Sequence, residues 1–321
     1  VKVLITGGTG LIGAKVARKL IEMGIQPVLF DSSTDLSRLR GVEESVTLVR
    51  GNVVNIHELV HAVREHGVDR ILHLAYMMGT DSNRDPLSAT YVNVIGTVNA
   101  YETGRICGLE RVCVASSIAV FGSDEDYSPG ELPLVESSKR LMAMGIPVYS
   151  AGKLYAEVLG EHYRERFGVF VCGLRPGIVY GYGRFTGATA FISELILKPA
   201  KGEPVKVDNG DMKISLVYVD DVAEQFVALL TKEKSEIKCS FYNSGGDTLT
   251  ISELAEAVRR VVPGADITVS PGSVKYASGL AASVSGGAIE KELGVRRVYT
   301  PVERGIEKMI EEMEKAEGKG E

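Results

Sequence analysis

The sequence predicts an α/β fold: a doubly wound parallel sheet followed by a smaller C-terminal lobe. Three observations carry this expectation. Apolar runs rich in Val, Ile and Leu alternate with amphipathic segments until about residue 180. The runs are continuous instead of alternating polar with apolar, the pattern of strands buried on both faces of a parallel sheet. The first run also enters a glycine-spaced turn directly, with a helix-period segment behind it. Strict β-α alternation brings right-handed crossovers and a ligand site at the carboxyl ends of the strands.

In chain order, strands are expected at Lys2–Thr6, Pro27–Phe30, Val46–Arg50, Arg70–Leu74, Arg111–Ala115 and Val169–Leu174. Helical segments fall between them at about 14–23, 55–66, 86–107 and 149–167. After Gly183 the alternation lapses. Residues 1–183, with returning segments at about 214–244, are assigned to the sheet domain. Residues 184–213 and 245–321 are assigned to a smaller substrate-binding lobe. Leu216–Val219 and Phe241–Asn243 read as strands that return to the main sheet.

The first thirteen residues are the most specific segment. An apolar run, Val1 to Ile5, passes into Gly7, Gly10 and Gly13, and a helix follows at once. A strand turning through glycines into a helix aims free backbone N–H groups, here those around Leu11 and Ile12, at an anion such as a pyrophosphate. Glycine suits such a turn because a Cβ would hold the phosphate off and φ can exceed zero. Asp31 closes the next apolar run, eighteen residues beyond Gly13. A carboxylate there is placed to accept from two ribose hydroxyls, so the expected cofactor is NAD. Arg38 and Arg40 could meet a 2′-phosphate, but Asp31 repels that group, which favours NAD over NADP.

Composition bounds the rest. The chain has 321 residues, 45% hydrophobic and 24% charged, ordinary for a globular enzyme with ample core. A net charge of −6 argues against a nucleic-acid surface. Cys107, Cys113, Cys172 and Cys239 are scattered without C-x-x-C spacing and read as free thiols of a reducing cytoplasm. No apolar stretch is long enough for a membrane helix, and because the first residues enter a strand at once no secretory signal is expected. Partners are therefore expected to be small molecules, with neither nucleic acid nor membrane involved. The charged tail Glu314–Glu321 is expected to fray.

Tyr149 and Lys153 form Y-x-x-x-K at the start of a helical segment. A spacing of four puts both on one helix face. A phenol near pKa 10 is a poor base at neutral pH, and a neighbouring ammonium favours its phenolate. The strand ending Ala115-Ser116-Ser117 should deliver hydroxyls to the same sheet edge. A serine hydroxyl and a phenol converging on one substrate oxygen can take a proton while hydride leaves the carbon.

With these residues in place, the chain resembles an extended short-chain dehydrogenase/reductase of the NAD-dependent epimerase/dehydratase family, with a Rossmann-like sheet. Thr6-Gly7-Gly8-Thr9-Gly10-Leu11-Ile12-Gly13 resembles the family's cofactor turn, and Asp31 its ribose carboxylate. Gly51-Asn52-Val53 resembles the segment beside adenine, with Asn for the usual Asp. His73-Leu74-Ala75-Tyr76 resembles a His-Leu-Ala-Ala segment along the cofactor, and Asn93-Val94-Ile95-Gly96-Thr97 an Asn-x-x-Gly-Thr helix. Ser116-Ser117-Ile118-Ala119-Val120-Phe121-Gly122 resembles Ser-Ser-x-x-Val-Tyr-Gly, which assigns the catalytic hydroxyl to Ser117. Arg175-Pro176-Gly177-Ile178-Val179-Tyr180-Gly181 and Val217-Tyr218-Val219-Asp220-Asp221-Val222-Ala223 match two later blocks. The resemblance implies cofactor contacts from Gly7, Gly10, Leu11, Ile12, Gly13, Asp31, Asn52, Val53, Leu74, Ala75, Tyr76, Asn93, Ser116, Tyr149, Lys153, Pro176 and Ile178. It also implies a homodimer through helices 86–107 and 149–167.

Departures from the family narrow the reaction. Family dehydratases place Asp-Glu after the catalytic hydroxyl, where this chain has Ile118 and Ala119, which do no acid–base chemistry. Many nucleotide-sugar members carry Asn at Ile178 and Arg at Ile214. Losing an amide and a guanidinium removes planar phosphate recognition that Lys213 does not replace. The expected substrate is smaller, a sugar, sugar acid or polyol, met by Met77, Ser117, Tyr149 and Arg184. Arg184 or Lys213 would grip any anionic group. The expected step is hydride transfer between a secondary alcohol and NAD. Net dehydrogenation and cofactor-recycling epimerisation, as in a UDP-glucose 4-epimerase, both stay open. A dinucleotide sensor without catalysis is a remote third reading, disfavoured because Tyr149 and Lys153 are both present.

Other features read as structural. His57 and His61 have metal-pair spacing in a segment with His66, but without a matching third ligand they read as a solvated face. Asp220-Asp221 reads as the N-terminal cap of the following helix. Asp124-Glu125-Asp126 reads as a solvated turn that could border the cleft.

Overall fold

The computed structural model describes residues 1–187, 189–272 and 279–318. Its centre is a seven-stranded, wholly parallel sheet. The strands are β1 (Val3–Thr6), β2 (Pro27–Asp31), β3 (Thr47–Arg50), β4 (Arg70–His73), β5 (Arg111–Ala115), β6 (Val171–Arg175) and, far later in the chain, Phe241–Asn243. They lie in the order β3-β2-β1-β4-β5-β6 with Phe241–Asn243 outermost, beside β6. The order reverses between β1 and β4, so the crevice above those two strands is the topological switch point where ligands bind.

Residue alternation along each strand feeds two helix layers. Val3 and Ile5 point to one face, packing with Val16, Ala17 and Leu20 of α1 (Leu11–Glu22). Leu4 points to the other, with Leu59 and Val63 of α2 (Ile56–His66). That second face also carries a nearly continuous helical run. It comprises α3 (Gly79–Arg84), α4 (Pro86–Ala89), a π-type turn over Thr90–Ile95 and α5 (Gly96–Cys107), and α6 (Pro147–Phe167) packs beside it. The segment expected as one helix over 86–107 thus contains a wider turn, a device often found beside functional sites.

The smaller lobe is built on two short sheets. In one, β7 (Ile178–Tyr180) and β9 (Lys213–Tyr218) pair in parallel, and β11 (Asp247–Thr250) joins β9 antiparallel. In the other, β8 (Val205–Val207) pairs with β12 (Ile267–Val269). On this count Phe241–Asn243 is β10. Helices α7 (Ala190–Ala200), α9 (Ile251–Val261) and α11 (Val302–Ala316) enclose this lobe's core of Leu195, Ile196, Leu254, Ile306 and Met309. α8 (Val219–Thr231) returns to the first face of the main sheet against α1, and α10 (Gly287–Leu293) packs beside it.

Two expectations are corrected. Leu216–Val219 does not return to the main sheet: Leu216–Tyr218 belong to β9 and Val219 opens α8, and only Phe241–Asn243 rejoins. Apolar content marks a buried strand but does not say which sheet buries it. Asp220 and Asp221 do not cap α8. Asp220 pairs with Lys15 at 2.9 Å, and the Asp221 carboxylate accepts from the Val298 and Tyr299 N–H groups at 2.8 and 3.1 Å. Both therefore join segments distant in sequence. α11 continues through Ala316, past the start of the expected fraying, while 319–321 lie outside the described residues. Among the described residues no helix is long and apolar enough to cross a membrane. His57 and His61 stand exposed on α2.

The glycine turn is held by contacts that admit no side chain. Gly7 has φ +67°, and a Cβ there would lie 2.9 Å from the Ala75 nitrogen. A Cβ on Gly13 would lie 2.5 Å from the Gly7 carbonyl oxygen and 2.8 Å from the Gly8 Cα. Both neighbours are backbone, so relief requires the turn itself to move. Gly13→Ala is expected to lower unfolding stability by about 1–3 kcal/mol, measured by urea denaturation. An unchanged midpoint would contradict this packing.

Candidate active site

A cleft of about 670 Å³ opens above the switch point and reaches into the smaller lobe. Its floor is the glycine turn: Gly7, Gly10, Leu11, Ile12 and Gly13. No side chain caps the N-terminus of α1 at Gly10, so the first N–H groups of the helix face this space unpaired by a cap. That donor set fits a dinucleotide pyrophosphate. Leu74, Pro176 and Ile178 line the middle.

Asp31, Asn52, Val53 and Ala75 lie outside the cavity lining. Asp31 Oδ2 accepts from the Thr9 N–H and hydroxyl at 3.0 and 2.8 Å, and Oδ1 from the Ser33 N–H at 3.1 Å. A carboxylate has about four acceptor positions, so capacity for a ribose hydroxyl is left. Asn52 Oδ1 accepts from the Val54 N–H at 3.0 Å, closing a turn, and Val53 is buried with its carbonyl taken by Asn99. Ala75 donates its N–H to Thr6 Oγ1 at 3.2 Å. Arg38 reaches the Gly183 carbonyl at 3.4 Å.

The reactive side chains converge where β5 and α6 meet. Pro147 stands in the first turn of α6, the position at which its missing N–H costs nothing. Two and six residues on, Tyr149 and Lys153 face the sheet, almost fully buried. Ser117 follows β5; its hydroxyl accepts from the Ala119 N–H at 3.1 Å and lies near enough to the Tyr149 phenol to influence its ionisation. Arg184 enters from the loop after β7. Its Nη2 donates to Thr189 Oγ1 at 3.2 Å, and its buried Nε has no protein partner. Tyr149, Ser117, Lys153 and Arg184 thus line one space, as the sequence predicts.

The electrostatics differ from expectation at one point. Burial raises the Tyr149 phenol above its ordinary range, and the Ser117 hydroxyl and Arg184 charge pull it back. Lys153, expected to do the pulling, lies elsewhere. Its Nζ donates to the Ala115 carbonyl at 2.7 Å and sits 3.3 Å from the Tyr76 ring centroid, but 5.5 Å from that of Tyr149. Burial pushes Lys153 down to about 7, with the Glu157 charge opposing. Burial and the Lys153 charge also push His73 down to about 3, so this imidazole is neutral. Thr6 Oγ1 accepts from the Leu74 and Ala75 N–H groups, and so donates to His73 Nδ1 at 2.8 Å. His73 Nε2 then donates to Thr97 Oγ1 at 3.2 Å.

Three expected site residues are corrected. Met77 does not line the cavity: its N–H and carbonyl are both held by the Asn93 side chain, at 2.7 and 3.1 Å, and Met78 lines the wall instead. Asn93, buried and also bonded to Ser82 Oγ, is held by that clamp and has no free amide N–H for a cofactor. Ser116 lines the cavity, but its hydroxyl turns away to Glu157.

Glu157 is the main residue missed by the sequence reading, although its position four after Lys153 is a visible signal. It is fully buried and takes a two-pronged hydrogen bond from Arg175 of β6, at 2.7 and 2.8 Å. Arg140 adds a third contact at 3.1 Å. Asp124 is the second. Its carboxylate does not simply face solvent: it accepts from the Ala282 and Ser283 N–H groups at 3.0 and 3.1 Å. This seats Leu280 and Ala281 as a cavity wall. The far end of the cavity is lined by Lys206, Asp208, Asn209 and Lys213, which no motif marked apart from Lys213. Among the described residues no cluster of three or more His, Cys, Asp or Glu side chains is arranged for a metal ion.

Fold and site together are those of a dinucleotide-binding α/β protein with a tyrosine–lysine–serine centre. The chain belongs to the NAD dependent epimerase/dehydratase family, whose model matches residues 3–245. It is 26% identical over 284 residues to the mitochondrial L-threonine 3-dehydrogenase of Sus scrofa, covering 86% of this chain and 72% of that one. It is 31% identical over 241 residues to the UDP-glucose 4-epimerase of Mycolicibacterium smegmatis, covering 70% and 72%. Among solved structures, the Thermus thermophilus UDP-glucose 4-epimerase in complex with NAD superposes with a TM-score of 0.81 at 25% identity, over 97% of this chain and 98% of that one. The holo L-threonine dehydrogenase from Cupriavidus necator superposes at 0.84 and 24% identity, over 98% and 100%.

Removing one partner from a buried ion pair leaves an uncompensated charge. Glu157→Gln is therefore expected to cost about 3–5 kcal/mol in denaturant unfolding. A loss below about 1 kcal/mol would show that Arg175 finds another partner.

Proposed function

We propose that this protein is an NAD-dependent dehydrogenase acting on a compact secondary alcohol that carries an anionic group, a hydroxy acid of the size of L-threonine. One observation carries the reading: the Arg184 guanidinium, with a buried unpartnered Nε, faces the same space as the Tyr149–Ser117 pair. A charged group needs an opposite charge when water is excluded, and an Arg fork suits a carboxylate. Ile178 and Ile214, apolar in the same cavity, offer no bidentate contact to a diphosphate.

NAD held by the glycine turn, Asp31 and Lys153 would supply the hydride acceptor. Ser117 orients the substrate hydroxyl, and Tyr149 as phenolate takes its proton. Arg184 fixes the anionic end and, by its charge, favours that phenolate. Lys153 places its ammonium at the Ala115 carbonyl, at the rim shared by both ligands. The likeness to L-threonine 3-dehydrogenases supports this reading.

The second reading is a nucleotide-sugar epimerase. The polar far end of the cavity and the 31% identity to a UDP-glucose 4-epimerase favour it. The test is incubation with NAD and either L-threonine and related hydroxy acids or UDP-sugars, followed at the NADH absorbance. Steady NADH growth with a hydroxy acid is expected. Interconversion of UDP-sugars without net NADH would overturn the assignment in favour of the epimerase. Tyr149→Phe is expected to lose about 10²–10⁴-fold in turnover while binding NAD normally. Arg184→Leu is expected to raise KM for the acid by about 10-fold or more.

We further propose a homodimer through the exposed apolar side chains of Leu87 and Tyr91 and, on α6, Tyr155 and Val158. Sedimentation should show a dimer that Val158→Glu with Tyr155→Glu converts to monomer. A wild-type monomer at micromolar concentration would overturn it.

A further inference from the structure

Where the family pattern places alanine, this chain has Tyr76, and its ring touches the catalytic helix at three points. The ring stands edge-on to Tyr149, with centroids 5.3 Å apart and planes at 83°. Its hydroxyl donates to the Tyr149 carbonyl at 3.4 Å. A Cβ on Gly152 would collide with that hydroxyl, so the helix is shaped to accept it. Above the ring face, 3.3 Å from the centroid, lies Lys153 Nζ.

We propose that Tyr76 is a positioning residue for Lys153: its ring face replaces the water lost on burial, keeping the ammonium charged and seated at the Ala115 carbonyl. The negative face of an aromatic ring attracts a cation, and the attraction grows when the cation is desolvated.

Of the other groups around Lys153, Glu157 alone favours the charged form, and it is shared with two other cations. On its own helix, Tyr149 one turn before is neutral, since burial raises its phenol. Glu157 one turn after is a carboxylate, but both its oxygens are engaged by Arg175 and Arg140, two cations against one anion. From β4, His73 is neutral. From β5 come the Ala115 carbonyl and Ser116, whose hydroxyl turns to Glu157. From the loop after β7 comes Arg184, another cation. The Ala115 carbonyl at 2.7 Å and the Tyr76 ring face at 3.3 Å are thus the near neighbours of the ammonium, with the Tyr149 ring farther off at 5.5 Å. Burial places the lysine near neutrality, at about 7, where a modest additional attraction decides which form prevails.

The test reads the lysine itself, without NAD or substrate, so its outcome is independent of the reaction proposed above. Protein labelled with ¹³C at the lysine Cε is titrated by NMR, and Lys153→Arg assigns the Lys153 signal. Tyr76→Leu is expected to lower the midpoint of that signal by about one pH unit or more, and Tyr76→Phe, which keeps the ring, by less than about 0.3. Should Tyr76→Leu lack a cooperative thermal transition, Tyr76→Met, which also fills space without a ring face, carries the same expectation. An unchanged midpoint in Tyr76→Leu or Tyr76→Met would overturn the proposal. So would a fall in Tyr76→Phe as large as that in Tyr76→Leu, since the hydroxyl would then be the group that matters.

Discussion

Helix α6 carries Tyr149, Lys153 and Glu157 at successive turns of one face, and the third of these holds the other two in place. Glu157 is locked to Arg175 at the carboxyl end of β6 by two short charge-assisted bonds, with nothing of the carboxylate exposed. Arg175 in turn reaches the Glu136 carbonyl and the Asn243 side chain, so the pair ties the helix to two neighbouring strands and a loop. A buried ion pair of this kind adds little net stability compared with apolar packing. Its value here is geometric. A fork-to-carboxylate bond tolerates little rotation, and a small rotation of α6 would swing both the phenol and the ammonium off the sheet edge.

Around this anchor the site is an arrangement of charges kept dry. Lys153 and Arg184 are both drawn below their ordinary values by burial, and Tyr149 is drawn above its own. Each shift favours the neutral form, and each is resisted by a particular neighbour: Glu157 for the lysine, Tyr149 for Arg184, and Ser117 with Arg184 for the phenol. His73 shows the limit of the trend. Caught between two threonine hydroxyls and near the Lys153 charge, it is held neutral and forms a hydrogen-bonding strut between β4, β1 and α5.

The two lobes divide the work, but neither completes the cavity alone. The main sheet supplies the glycine turn and the reactive face of α6. The smaller lobe adds Ile214, Ser215 and the polar stretch from Lys206 to Asn209. Asp124 closes the arrangement by holding the backbone at Ala282 and Ser283 against the loop that follows Ser117. A loop of acidic residues that looks like a surface turn is in part a clasp across 158 residues of sequence.

Most of the sheet was legible in the chain because its signals are local. A continuous apolar run, a glycine spacing or a tyrosine four residues from a lysine can be read within a dozen residues, and these placed β1 to β6, the glycine turn and the meeting of Tyr149, Lys153 and Ser117 at one cavity. What the sequence could not decide depends on contacts between distant segments. Val217 is as apolar as Val114, yet β9 pairs with β7 and β11, because strand partners are chosen by the path of the chain and not by hydropathy. Asn93 reads as a cofactor ligand until the loop after β4 is seen to occupy both ends of its amide. Lys153 reads as the tuner of Tyr149 until Tyr76 is found beneath it. A side chain's type limits what it can bind, but burial and the nearest competing partner settle what it does bind, and both are properties of the folded chain.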